Sequence, residues 1–188
     1  CTPCQKKGIG CQCLGHIVKA NEHLMAVDAC ILGSWWLTRG IELASARACH
    51  MRTDKATLTA PWSLPVAKTD SKGKCTTRTH GCCCRTNRGP ICPYHTACRH
   101  LERLRTTFGN DFASSERDVP LFPSCNGQHM SHIEVTKMTQ DMIRLIGETL
   151  TRPGVDGRPL QRFAEHVLRI SGAPVSYNHL RAHETKAK

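Results

Sequence analysis

The chain has 188 residues, with 26 Lys and Arg against 15 Asp and Glu, and a formal net charge of +11. This length allows one buried core, so a single domain carrying an insertion is expected. The most apolar window, LMAVDACILGSWWL at 24–37, is too short for a bilayer and contains Asp28, which argues against a membrane span and a signal peptide. These features predict an intracellular protein without a membrane partner.

The predicted elements begin after a short cysteine-containing end. Residues 1–15 hold paired cysteines with no His or Cys at a convincing ligand interval, which predicts a frayed segment. Over 16–49 the apolar spacing predicts two helices separated at Gly33–Ser34, with Ser34 as an N-cap. Residues 55–69 combine Thr, Leu, Trp and Val with prolines, which is typical of short edge strands in a small antiparallel sheet.

The second half of the chain is predicted to alternate loops and helices. A basic, cysteine-rich insertion at 79–98 runs into the helix HTACRHLERLRTTF. A turn at Gly127 leads to a helix over about 131–150. Its apolar face is predicted to comprise Ile133, Met138, Met142, Leu145 and Ile146. By composition 151–159 is a loop, and a last helix starts near Leu160. This order predicts a mainly α fold with a small antiparallel β-sheet, an α+β class.

Positive charge is concentrated in the first part of the chain. Residues 1–110 carry 16 basic and 6 acidic side chains, whereas 111–188 carry 10 and 9. A localised basic field favours a polyanionic partner, most simply nucleic acid, although a merely soluble basic surface is the alternative. The run 68–105, with 9 basic and 2 acidic side chains, is where contact with backbone phosphates is expected.

Cysteine usage favours metal sites or reduced thiols over a disulfide scaffold. The chain has 13 Cys and 11 His, an odd cysteine number, and no secretory signal. Within HGCCCRTNRGPICPYHTAC the spacing Cys-x-Cys, seven residues, Cys-x-x-His could close a tetrahedral zinc site in a loop too short for its own core. The predicted ligands are Cys82, Cys84, Cys92 and His95. Cys83 and Cys98 compete as ligands, and a loop with spare thiols is the alternative.

Three short motifs carry residues suited to phosphate chemistry. In TRGIEL a helix would place Arg39 and Glu42 one turn apart on one side, where a surface ion pair is the simpler interpretation. In LPVAKTD, Lys68 ends an apolar strand, a position where lysine is common. In EHVLRISGA, His166 and Arg169 share a helical face, followed by small residues that allow close packing. Each motif alone is ambiguous.

In this order and at these separations, the motifs resemble the catalytic domain of the tyrosine recombinases, also called phage integrases. The resemblance covers about 24–173: an Arg-x-x-Glu-Leu box at Arg39–Leu43, a lysine on a hairpin, and a His-x-Leu-Arg box followed by Ser-Gly-Ala. It implies a recombinase-like catalytic core over 16–173, interrupted by the cysteine-rich insertion. It also implies that the fold is mainly helical with a small antiparallel sheet.

The resemblance also implies roles for four side chains. Arg39 and Arg169 would clamp a DNA phosphate, because forked guanidiniums match the charge that builds on its oxygens. Lys68 would protonate the leaving 5′ oxygen and His166 would assist proton transfer. Glu42 would orient its neighbours. The implied partner is DNA, bound by homotetramers, and the implied location is with the DNA, which is the nucleus in a eukaryote.

The sequence departs from the family pattern at its end. The family breaks DNA with a tyrosine that forms a phosphotyrosyl intermediate, and it has a third box with His or Trp. Here Tyr94 lies in the insertion and Tyr177 follows Arg169 by only eight positions. Residues 174–188 resemble the translation of a sequencing-library adapter, which predicts a non-native tail and a core incomplete at its C-terminus. We therefore expect an inactive strand transferase, which covalent trapping on a suicide DNA substrate would contradict.

Two other interpretations stay open. One is a zinc-stabilised nucleic-acid-binding module without catalysis, and the other is a decayed remnant of a mobile element. The recombinase interpretation requires Arg39, Lys68, His166 and Arg169 to converge on one basic concavity. The zinc module requires only a basic surface around the cysteine cluster.

Overall fold

The computed structural model describes residues 14–64, 75–84 and 89–161, with side chains from Leu24 to Leu160 within those ranges. This part of the chain contains four α-helices and four short strands in two antiparallel pairs. The fold is therefore of the α+β class, as the sequence predicts. Within the described ranges, no helix has both the length and the apolar character that crossing a membrane would require.

Helix α1, Leu14–Trp35, supplies one side of the core. Met25, Ala29 and Leu32 are buried at the three- and four-residue spacing of an amphipathic helix. The predicted break at Gly33–Ser34 is wrong, since the helix continues through both residues. A glycine inside a helix costs only about 1 kcal/mol, and burial of the two tryptophans that follow offsets this cost.

A short corner and a small sheet follow α1. Helix α2 is Gly40–Ala44, and a single 3-10 turn, Ala48–His50, comes after it. Strands β1, Thr59–Leu64, and β2, Thr76–Gly81, pair antiparallel, with Thr59 opposite Gly81. β1 buries alternate residues, as expected for a strand with one face on the core. Isolated bridges from Met51 to Trp62 and from Asp54 to Thr59 extend the pairing on the other side of β1.

Helix α3, Pro93–Phe108, packs against α1 and both strands of the first pair. Proline at its first turn needs no intrahelical N–H partner, and Gly109 ends the helix with a φ of 94°. Tyr94, Ala97 and Leu104 of this helix are buried in the core. This packing brings the start of α3 next to the end of β2.

Helix α4, His132–Leu145, starts at the predicted position but ends earlier than predicted. Ser131 and Glu134 form a capping box, in which Glu134 N donates to Ser131 Oγ and Ser131 N donates to Glu134 Oε2. The predicted apolar face is wrong in most of its members, because α4 meets α1 and α2 through Val135 and Thr139. Met138 is partly buried against the core. The exposed members are Ile133, Leu145 and Ile146.

The predicted loop at 151–159 contains a small hairpin. Strands β3, Thr151–Pro153, and β4, Pro159–Gln161, pair antiparallel, and Gly157 has a φ of 76° in the turn between them. A left-handed residue at this point suits a hairpin turn. Leu160 is in β4, so the predicted start of the last helix near this residue is wrong. The rest of that predicted helix and the predicted tail at 174–188 lie outside the described residues. Most of the predicted frayed end also does.

Aromatic side chains join these elements at the centre of the core. Trp36 contacts Trp62 with ring centroids 5.8 Å apart, and Trp62 contacts Phe122 at 5.9 Å. These contacts connect the corner after α1, strand β1 and the loop before α4. At the β2–α3 junction, Cys92 belongs to the same buried core, and Cys82 and Cys84 pack against it.

Candidate metal centre

Four metal-ligand residues meet where β2 ends and α3 begins. The ligand atoms of Cys82, Cys84, Cys92 and His95 all lie within 4.8 Å of one another. The Sγ atoms of Cys82 and Cys92 are 3.8 Å apart, and His95 Nδ1 lies 3.4 Å from the Sγ atoms of both Cys84 and Cys92. This group could hold a metal ion. Its members are the four ligands that the sequence predicts.

Regular structure on each side positions these side chains. Cys82 continues the line of β2, since its N–H donates to Leu58 O at 2.9 Å. Cys92 is the residue immediately before α3 and His95 lies in its first turn, so their three-residue separation puts both on one side of the helix. The thiols and the imidazole thus come from two short stretches that the core already brings together.

Backbone N–H groups point at the sulfur atoms. Gly89 N lies 3.0 Å from Cys84 Sγ, and Cys84 N lies 3.4 Å from Cys82 Sγ. Burial works to raise the pKa of Cys92, but backbone N–H groups of His95 and Cys83 lower that pKa to about 6. Burial raises the pKa of Cys82. Donors of this kind stabilise thiolate, which is the form that binds metals.

The two competing cysteines are not part of the group found among the described residues. Cys83 is partly buried against the core, and burial raises its pKa to about 12. The Cys98 thiol lies beside the Tyr94 hydroxyl.

A buried charge cluster lies behind the metal-ligand group. Asp28 of α1 is 1% exposed, and its Oδ1 accepts hydrogen bonds from Arg99 Nε at 2.9 Å and Arg99 Nη2 at 2.8 Å. Arg103 Nη1 binds Oδ2, and His100 Nδ1 lies 3.5 Å from the same oxygen. Burial alone would raise the pKa of Asp28, but the contacts with His100 and Arg99 lower it below its ordinary value.

This cluster was not predicted from the sequence. Its signal was present as a lone aspartate in the most apolar stretch of the chain, where an unpaired charge is too costly to bury. Arginines one turn apart on α3 were the matching partners. The pairing spans 71 residues between Asp28 and Arg99, so no local pattern identified it.

Four of the nine basic residues in the predicted phosphate-binding run, 68–105, make contacts within the protein. Arg78 donates to Trp36 O, Arg99 and Arg103 bind Asp28, and Arg105 pairs with Glu102. These arginines therefore have structural contacts. The other five basic residues of 68–105 lie outside the described ranges. They are Lys68, Lys72, Lys74, Arg85 and Arg88.

Of the four residues implied by the recombinase resemblance, the structure describes Arg39. It immediately precedes α2, and its own N–H donates to Glu42 Oε2 at 2.8 Å. Its guanidinium lies 3.6 Å from Glu42 Oε1, with Arg39 21% exposed and Glu42 only 4% exposed. Arg39 and Glu42 therefore do form an ion pair, but it is not a simple surface pair, because the Glu42 carboxylate is buried and Arg39 is half-buried. Lys68, His166 and Arg169 lie outside the described residues, so their convergence with Arg39 stays a prediction.

Comparison of the chain with protein-family models, with curated proteins and with solved structures finds no match.

Proposed function

We propose that this chain is a zinc-stabilised DNA-binding domain. The observation that carries the proposal is the Cys82, Cys84, Cys92 and His95 group at the β2–α3 junction. Three thiolates and one imidazole are a ligand set typical of structural zinc. All four positions of a tetrahedron are filled by protein, which suits a structural ion better than a catalytic one.

The distances within the group support zinc. With Zn–S bonds of about 2.3 Å and Zn–N bonds of about 2.0–2.1 Å, a tetrahedron separates two sulfurs by about 3.8 Å and a sulfur from a nitrogen by about 3.5 Å. The Cys82 and Cys92 sulfurs are 3.8 Å apart, and His95 Nδ1 lies 3.4–3.7 Å from the three sulfurs. These four distances are close to those of a tetrahedral zinc site, and all the ligand atoms lie within 4.8 Å of one another.

Charge supports DNA as the partner. Arg85 and Arg88 lie in the sequence between the ligands Cys84 and Cys92, so a bound ion would close the segment that carries them. Closing a short segment lowers the entropy that its cations lose on meeting a phosphate backbone. The chain as a whole has a net charge of +11, which favours association with a polyanion.

We expect duplex DNA to bind with strong salt dependence. Arg85→Ala should weaken binding to about the same extent for every sequence and reduce the slope of log K against log salt by about 1, because one phosphate contact is lost. Fluorescence anisotropy with a labelled duplex over a salt series measures both quantities. The matched control is Arg105→Ala, since Arg105 already pairs with Glu102 and should leave the slope unchanged.

Removal of zinc tests the link between the metal and DNA. A chelator-treated chain should bind the same duplex more weakly, and added zinc should restore the affinity. Salt-independent binding, or equal affinity with and without zinc, would contradict the proposal.

A second candidate function, DNA strand breakage and joining of the tyrosine-recombinase type, is favoured by the setting of Arg39. The buried Glu42 carboxylate accepts the backbone N–H of Arg39 and lies beside the Arg39 guanidinium. These contacts restrict the Arg39 side chain, as a phosphate clamp requires. The proposal also needs Arg169 at the same phosphate, and this depends on the sequence resemblance.

A double-mutant cycle tests whether the two arginines share a phosphate. Arg39→Ala, Arg169→Ala and the double variant should each weaken DNA binding, with a coupling of at least about 0.5 kcal/mol, because contacting or network residues are not additive. Anisotropy titrations give the four affinities. Additivity within about 0.3 kcal/mol would place the arginines at separate phosphates and end the recombinase proposal.

A further inference from the structure

We infer that Arg99 is a positioning residue for the metal centre, acting through the turn that delivers Cys92. The inference rests on the proposed metal site and adds a residue that is not a ligand. Arg99 lies on α3, seven positions after Cys92. Its guanidinium reaches back to the turn before the helix.

The turn at 89–91 contacts two of the metal ligands, Cys84 and Cys92. Gly89 N donates to Cys84 Sγ at 3.0 Å, and Gly89 O accepts from Cys92 N at 3.2 Å. The position of this one residue therefore affects a sulfur on each side of the site. A small shift of the turn would change the Cys84 and Cys92 sulfur positions together.

Side chains of α1 and α3 donate hydrogen bonds to the other two carbonyl groups of this turn. Pro90 O accepts from Arg99 Nη2 at 3.0 Å and from Thr96 Oγ1 at 3.3 Å. Ile91 O accepts from Trp35 Nε1 at 2.8 Å. Each of the three carbonyls thus has a donor, and three of the four donors are side chains of α1 and α3.

Asp28 fixes Arg99 in this position. Two nitrogens of the guanidinium bind one oxygen of this buried carboxylate, and Nη2 also contacts Thr96 Oγ1 at 3.1 Å. Arg99 therefore links Asp28 of α1 to the turn at 89–91. Groups of this kind around a metal site affect its affinity because they orient the ligands before the ion arrives.

Arg103 provides a matched control. It binds the other oxygen of Asp28 and reaches Leu24 O at 3.5 Å, so it belongs to the same charge cluster. Within the described part of the chain, its guanidinium contacts α1 and makes no hydrogen bond to the turn at 89–91. Lysine at either position keeps the positive charge and loses the forked guanidinium.

The test compares zinc dissociation constants of the full chain, Arg99→Lys and Arg103→Lys, by competition with a chromophoric chelator. We expect a Kd increase of about 10- to 100-fold for Arg99→Lys, the range for outer-sphere partners of metal ligands, and much less for Arg103→Lys. The absorption spectrum of the cobalt-substituted protein should change for Arg99→Lys alone, because it reports ligand geometry. Thermal unfolding of the metal-free forms should show comparable losses for both variants.

Equal increases in Kd for the two variants, or an unchanged Kd in Arg99→Lys, would overturn the positioning role. If Arg99→Lys does not fold, Thr96→Val removes a second hydrogen bond to Pro90 O at nearly constant volume and should also weaken zinc binding. An unchanged Kd there would likewise count against the inference. A full chain that retains no zinc at all would refute the metal site itself, a result distinct from the other two.

Discussion

Replacement of Cys92 by Ser is expected to abolish stoichiometric zinc retention and to lower the melting temperature by about 8–16 °C. An ion present at about 1,000 times its Kd stabilises the folded state by about 4 kcal/mol, and each kcal/mol shifts Tm by about 2–4 °C in a chain of this size. Cys92 is the buried ligand at the start of α3, and its thiol has a pKa lowered to about 6. Its loss removes the ligand best prepared to bind as thiolate.

Elemental analysis of purified protein and a thermal melt measure the two effects. Cys98→Ser is the matched control, because Cys98 lies on the same helix outside the ligand group and should retain one zinc per chain. Retention of one zinc by Cys92→Ser would mean that another residue, such as Cys83, supplies the fourth ligand. That result would contradict the ligand set.

Asp28→Asn is expected to lower the free energy of unfolding by about 1.5–3 kcal/mol at neutral pH, the range for hydrogen bonds to a charged group. Asparagine fills nearly the same space but removes the charge that Arg99 and Arg103 share, and because these arginines are 33% and 18% exposed, solvent compensates part of their unpaired charge. Urea unfolding of the metal-free proteins measures the difference. Asp118→Asn is the control, because Asp118 is 69% exposed and its pair with Arg47 should contribute less than about 1 kcal/mol.

The effect of Asp28 should depend on pH in a defined direction. Its pKa in the folded protein is below the ordinary value of 3.8, so the stabilisation is fully present above that value. It is lost as pH falls through the folded pKa and the carboxyl becomes protonated. The gap between the wild-type chain and Asp28→Asn should therefore narrow below pH 3.8. A gap that widens on acidification would show that the charge is not what stabilises the cluster.

The sequence predicted those parts of the molecule that depend on local geometry. The four ligands lie within fourteen consecutive positions, 82–95, and their residue types and spacing identified the group without knowledge of the surrounding core. The start of α4 was likewise predicted close to its observed position, and the capping box found there, Ser131 with Glu134, is complete within four residues.

The parts that sequence patterns missed depend on distant contacts. The helix through Gly33–Ser34 is stabilised by burial of Trp36 against Trp62, and residues 26 positions apart leave no periodic signal. Three residues of the predicted apolar face of α4 are exposed, because periodicity identifies an apolar face without showing what covers it. The Asp28–Arg99 pair is a third case. Whether Arg39 meets Arg169 is a question of the same long-range kind, across 130 positions.

The corner between α1 and α2 shows what this dependence means for Arg39. Leu37 has a φ of 53°, a left-handed conformation that costs a residue with a side chain about 1–2 kcal/mol. Thr38, fully buried, closes the corner by donating to Gly33 O through both its N–H and its hydroxyl, at 2.9 and 3.2 Å. A free peptide spanning 30–45 would relax Leu37 to an extended or helical state. The direction in which the Arg39 side chain leaves the backbone is therefore set by the assembled tertiary structure. No excised segment should reproduce that direction.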